Sequence, residues 1–253
     1  MLGRKKKKTK RESQVPQKNF KKIKLMVFFF PIVMISGILS IKTFLSPIYL
    51  PYIIFISEDG PVEVLTFIVY IITFIVSILV ANSLRKVKRK RAATLFFIIA
   101  FVFILIALEE ISWGQRIIGF ETSGIFSEST QGEVNIHDLR PIEYFEDPSF
   151  IVVGFVGGLL WILFLKSPNT NNSSFKTFFV PRWYLMTYFI PVAIFYILLN
   201  LAPPEVTVNG ISWNFLFPKD QEPFELLLAL GFFGFVLSNY IRLRHMKSTK
   251  NVS

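Results

Sequence analysis

The chain has no cysteine. That excludes disulfides, thiolate zinc, iron–sulfur clusters and c-type haem attachment. It has two histidines, His137 and His245, so a three-histidine metal site is excluded by count. Charge is missing from long stretches. Blocks of about 16 to 22 residues carry no ionisable acid or base, and a bilayer core demands that length. Helices in soluble cores rarely run so far without a charge. No small-x-small cleavage site follows the long basic segment at the start, so the first apolar block reads as a retained span and not a signal peptide.

What is present is apolar and basic. Of 253 residues, 52% are hydrophobic and the net charge is +11. The positives do not form a nucleic-acid footprint, because they sit in short stretches flanking the apolar blocks. That is the positive-inside pattern. No nucleic-acid partner is expected. The bilayer is the expected partner, with anionic lipid headgroups touching the lysine run at 5–8 of the amino-terminal tail.

The fold class read from this pattern is all-α: a polytopic transmembrane helix bundle of about six spans. Residues 1–24 form a basic cytoplasmic tail expected to be disordered. The spans fall at about 25–45, 61–84, 92–108, 148–165, 183–201 and 224–241, within one membrane domain, and 242–253 form a second cytoplasmic tail. The third span is read as continuing in helix toward Ile118. An outer loop covers 109–147. The stretch 48–56 is apolar but too short to cross, so it lies at the interface or re-enters.

Orientation follows from the bases. With both termini inside, only Lys42, Arg116, Arg140 and Lys219 of the 28 Lys and Arg lie outside. Of the 17 Asp and Glu, only Glu12 lies inside. This places the protein in a cytoplasmic membrane, expected to be the bacterial inner membrane.

The polar residues of the outer side form four groups: Glu58, Asp59 and Glu63; the block from Glu109 to Arg116; Glu133 to Asp138; and Asp220, Glu222 and Glu225. The first and last read most simply as helix starts. An acid, a proline in the first turn and a glutamate near the third position suit the positive end of a helix. Glu109 and Glu110 do not fit that account. They end an outward-running helix, where each negative charge costs about 0.3–1 kcal/mol, and they repel one another. If helix continued, Glu109, Ser112, Trp113 and Arg116 would share one face, and Arg116 would compensate them. His137 follows Glu133 by four, a spacing that serves a metal ligand pair, acid–base chemistry or a plain hydrogen bond.

Ionisable groups at membrane depth are costly and tend to be functional. The candidate catalytic residues are therefore Glu109, Glu110 and His137. Arg116, Gln115, Trp113, Glu58 and Glu63 are candidates for substrate binding, with Arg116 suited to an anionic group. Glu110, Glu133 and His137 are candidate ligands for a divalent ion, for which Mn²⁺, Mg²⁺ and Zn²⁺ fit equally.

Glu109-Glu110-Ile111-Ser112-Trp113-Gly114-Gln115-Arg116, followed by Gln131-Gly132-Glu133 and Asn135-Ile136-His137, resembles a block found in an uncharacterised family of bacterial multi-pass inner-membrane proteins. The resemblance covers about 30 residues plus the acidic start of the second span, and it implies membership without an activity. A more distant likeness is to intramembrane glutamate proteases of the CAAX-processing type. There the arginine follows the glutamate pair more closely and further histidines stand on helices, so no catalytic role carries over. Three functions remain open: a membrane-embedded hydrolase or transferase for a lipid, lipid-linked or peptide substrate; an envelope scaffold; and a transporter or cation-binding protein.

Overall fold

The computed structural model describes residues 17–44, 46–57, 60–119, 121, 122, 124, 126, 134–136, 139–164, 176–201, 206–208, 211–213 and 220–250. The lysine run at 5–8, Glu58, Asp59, Glu133, His137, Asp138 and Lys219 lie outside them.

Helices α1 (Gln17–Phe44), α2 (Ser46–Phe55), α3 (Pro61–Lys86) and α4 (Lys90–Glu110) open the chain. The short α5 (Gln115–Ile118) is followed by α6 (Arg140–Leu159), which tightens into a 3₁₀ turn over Leu160–Phe164. Next come α7 (Lys176–Phe179), α8 (Met186–Leu201, led by a turn at Trp183–Leu185) and α9 (Gln221–Lys250). Six helical segments are long and apolar enough to cross a membrane: Lys21–Ile41, Pro61–Lys86, Lys90–Glu110, Tyr144–Phe164, Trp183–Leu201 and Gln221–Met246. At about 1.5 Å per residue each matches a hydrocarbon core of about 30 Å. Helix is the form that apolar chain must take there, because lipid offers no partner to an unpaired backbone group.

The helix ends obey local rules. Pro61 opens α3, where its missing N–H costs nothing. Gly60 before it is required by space: a Cβ there would stand 2.4 Å from the carbonyl oxygen of Ser57. Arg85 and Lys86 close α3 at its negative end. Lys88 then turns left-handed at φ 59°. Its N–H donates to Arg85 O and that of Arg89 donates to Leu84 O, at 3.0 and 2.9 Å, which is the Schellman stop.

Helix α3 packs along α4 and α9, α6 packs along α8, and α8 joins α9. On α4 the buried stripe is Ala92, Ala93, Phe96, Ala100, Phe103 and Ala107, and its four alanines let α3 approach. On α3 the buried hydroxyls of Thr66, Thr73 and Ser77 bond back to the carbonyls of Val62, Val69 and Thr73 at 3.0, 2.7 and 2.7 Å. Between α6 and α8, Gly154, Gly157 and Gly158 face Ala193, Phe189 and Ile190 directly. Asn239 on α9 donates to Phe178 O at 3.0 Å and so pins α7. Helix α1 stays peripheral: 6% of its apolar window is buried, against 39% for α3 and 44% for α8 and α9. It meets α8 through Thr187, whose hydroxyl donates to Phe28 O at 2.8 Å.

Three features depart from the sequence reading. Helix α4 stops at Glu110 and does not run on to Ile118. Helix α6 begins at Arg140, ahead of the expected span, with Pro148 inside it. The segment between α8 and α9 carries a two-stranded hairpin, β1 (Val206–Val208) with β2 (Ile211–Trp213), registered Val206 to Trp213. Its signal was present as Asn209-Gly210 between alternating residues.

Because successive spans alternate in direction, α2, the starts of α3, α6 and α9, and the ends of α4 and α8 share one end of the bundle. The carboxylates gather at that end, and the basic turns lie at the other.

Candidate functional site

The block that follows α4 is a clasp. After Ile111, three residues in a row are left-handed: Ser112 at φ 47°, Trp113 at 54° and Gly114 at 84°. Two of these carry side chains, a strain of about 1–3 kcal/mol each. Side-chain bonds hold the turn. The Trp113 indole N–H donates to one oxygen of the Glu109 carboxylate. The other oxygen accepts the backbone N–H of Ile136 at 2.8 Å. Asn135, with its amide turned as its neighbours require, donates to the backbone oxygens of Val134 and Glu109 at 3.1 Å. It also accepts from the Ser112 hydroxyl at 3.3 Å. Gln115 donates to Thr122 Oγ1 and accepts from the Val134 N–H, both at 2.7 Å.

The expected single helix face is thus absent, because the helix ends before Ser112. Glu109 and Trp113 meet through the chain's reversal instead. Glu109 at the negative end of α4 is compensated by neutral N–H donors. Glu109, Trp113 and Gln115 each serve the loop that carries 134–136. The side chain of Arg116 lies outside the described residues, although its backbone is in α5.

Glu110 turns the other way, into the bundle. Phe103, seven residues before it on α4, rests against Tyr70 of α3 and Phe232 of α9, with ring centroids 6.0 and 5.3 Å apart. Glu225 stands seven residues before Phe232. Seven residues is nearly two full turns, so Glu110 and Glu225 stand over this aromatic layer on the facing sides of their helices. Both charges act on the Tyr70 hydroxyl. Glu225 also accepts from the Tyr196 hydroxyl at 3.0 Å, and the Tyr196 ring stacks on Phe150 at 4.4 Å. Asn200, one turn beyond Tyr196, donates to Asp147 Oδ2 at 2.8 Å.

A second tie closes the same end. The Tyr52 hydroxyl of α2 donates to Asp220 Oδ1 at 2.8 Å, and both residues are buried. The short apolar stretch before α3 is therefore a helix docked on the carboxylate end. Glu63 is buried close to the start of α3, whose capping position is Gly60 with no side-chain cap.

Four helices, α3, α4, α6 and α9, thus bring Glu63, Glu110, Asp147, Asp220 and Glu225 to one end. Tyr52, Tyr70, Tyr196 and Asn200 are partners that sequence reasoning missed. A buried tyrosine in an apolar span needs something for its hydroxyl, and that was the available signal. Among the described residues, no three of His, Asp and Glu stand close enough to share a metal ion. Of the candidate ligands, Glu133 and His137 fall outside those residues.

Together, the six spans and the segregated ends define a multi-pass helical membrane protein. Compared with protein families, with curated proteins and with solved structures, the chain finds no match.

Proposed function

We propose that this protein is a membrane-embedded hydrolase or transferase acting on a lipid, lipid-linked or peptide substrate at the extracytoplasmic face of a bacterial inner membrane. The observation that carries this reading is that Glu110 and Glu225, from different helices, both bear on the buried residue Tyr70. Two carboxylates near a phenol are equipped to move protons: one takes a proton from the attacking group and the other returns one to the leaving group. Glu109 is then a positioning residue. It accepts the backbone N–H of Ile136, the residue before His137 in the sequence. Arg116 would receive an anionic group of the substrate.

The test is direct. Purified protein is reconstituted in liposomes of total bacterial lipid extract, and the lipids are followed by mass spectrometry. Wild type converts one species. Glu110→Gln lowers the rate at least about 100-fold, the lower range for a lost general acid or base, while Glu121→Gln, an exposed loop change, leaves it intact. An extract left unaltered by wild type, or equal rates for Glu110→Gln, would remove the reading.

Orientation is part of the proposal, with the basic end in the cytoplasm and both termini there. The absence of native cysteine makes the check clean. In intact spheroplasts, a membrane-impermeant maleimide labels Glu121→Cys and leaves Arg89→Cys unlabelled until the membrane is opened. The reverse pattern inverts the topology.

A further inference from the structure

We propose that Arg182 and Arg242, at the basic end of the bundle, form a binding site for a phosphate group, carried by an anionic phospholipid or free in solution. The two residues come from different segments that packing holds together. Arg182 leads the turn at Trp183–Leu185, and α9 packs against that turn. On α9, Phe235, Asn239 and Arg242 are spaced four and three apart and so share one stripe. Phe235 stacks over Phe96, with centroids 6.1 Å apart. Asn239 donates to Phe178 O, and the Arg242 guanidinium lies over the Phe178 ring, 5.3 Å from its centroid. Phe178 is buried and stands four residues before Arg182. Arg242 is thus half-buried and set by its ring contact, close enough to Arg182 for the two charges to act on one another. Arg182 itself is exposed.

Charge and height both select the ligand. Like charges brought together repel, and the chain's own carboxylates are at the wrong end to balance them. Of the 17 acidic residues, only Glu12 belongs to the basic end by sequence. Counter-charge for this end therefore comes from outside the chain. Arg182 immediately precedes the span Trp183–Leu201, and Arg242 directly follows the uncharged run 226–241 of the last span. Both stand where hydrocarbon gives way to headgroups, and Trp183, 42% exposed beside Arg182, is of the type that marks this boundary. Basic pockets between helices at this level suit anionic headgroups. The planar fork of a guanidinium pairs with phosphate through two N–H groups at a time. It carries five such donors, and stacking on a ring occupies none of them.

This inference goes beyond the proposed function and does not use it. The site lies at the opposite end of the bundle and is read by binding, without turnover, so failure of one leaves the other standing. Full-length protein is purified in neutral detergent with equal amounts of phosphatidylglycerol and phosphatidylethanolamine, and retained lipid is measured by native mass spectrometry. Wild type retains phosphatidylglycerol. In Arg182→Gln and in Arg242→Gln retention falls about tenfold, the worth of one bond to a charged group. Arg91→Gln removes the same charge from an exposed position near the start of α4 and leaves retention unchanged. Inorganic phosphate separates the two sources. Displacement of the lipid by phosphate at a matching affinity makes the free anion the ligand, and weaker displacement makes it the headgroup. Equal retention of the two lipids without phosphate binding, displacement by chloride as effective as by phosphate, or full retention in Arg182→Gln overturns the proposal. A loss in Arg91→Gln as large as that in Arg182→Gln overturns it too, because retention then follows net charge alone. Thermal melting separates lost binding from lost fold. If Arg242→Gln, which gives up the Phe178 contact, melts early, retention by the Arg182→Gln protein is the deciding measurement.

Discussion

Gly154→Leu abolishes the monodisperse folded protein, while Gly37→Leu leaves it intact. At Gly154 an added Cβ would stand 2.7 Å from the Ala193 Cβ and 2.8 Å from both Ala193 N and Phe189 O. Two of those three atoms are backbone, so no side chain can swing aside. Helices α6 and α8 would have to separate, and Gly157 and Gly158 one turn on would lose Phe189 and Ile190 with them. Overpacking a well-filled site costs about 1–3 kcal/mol, and an unyielding backbone puts this change at or above the top of that range. In lipid the loss matters more, because close packing rather than water exclusion holds spans together. Gly37 on α1 is the internal control, since nothing lies within 4 Å of a Cβ built there. The check is size-exclusion profile and melting temperature in detergent. A Gly154→Leu protein that elutes and melts like wild type contradicts the interface.

The second large effect belongs to Glu109. In Glu109→Ala, the Trp113 indole and the Ile136 N–H both lose their acceptor. Each such bond to a charged group is worth about 1.5–3 kcal/mol. The left-handed turn at Ser112 and Trp113 then has little to hold it, and its stored strain favours release. Hydrogen exchange at Val134–Ile136 should accelerate by roughly 100-fold or more, while exchange within α3 and α9 stays unchanged. Glu109→Gln keeps one carbonyl acceptor and falls between. Undisturbed exchange at Ile136 in the alanine variant would show that the clasp is held elsewhere.

These two sites differ in how readily sequence discloses them. Spans are legible because the bilayer imposes a local rule: enough uncharged residues in a row, bounded by bases or by a signal such as Pro61. The number and order of helices follow. The end of α4 is less legible. Only Gly114 warns of a turn, and Ser112 and Trp113 adopt left-handed conformations that their types disfavour. What decides the matter is Ile136, 27 residues away. The start of α6 shows the same limit from the other side. Pro148 reads as a boundary, yet it sits exposed in a helix already under way from Arg140, where water or headgroups can serve the carbonyl it frees.

The carboxylates were visible as a group, but their division was not. Glu109 and Glu110 are adjacent in sequence, which invites one account for both. On a helix, neighbours point about 100° apart. One therefore ties the loop and the other faces Tyr70. Asp220 and Glu225 looked like helix-start acids, and they do open α9, yet each also receives a tyrosine hydroxyl from another helix. Pairings of that kind depend on which helices become neighbours, and no local rule gives that.

The tie between Tyr52 and Asp220 joins positions 168 residues apart, and this bears on biosynthesis. A ribosome making this chain delivers α2, α3 and α4 to the membrane well before α9 exists. Until then Tyr52 lacks Asp220, and Tyr70 and Phe103 lack the helix that covers them. Insertion of the early spans is thus separate in time from closure of the polar end, which waits for the last helix to leave the translocon. A chain cut short before α9 would present unsatisfied polar groups to lipid, a mark by which membrane quality control can tell an unfinished bundle from a finished one.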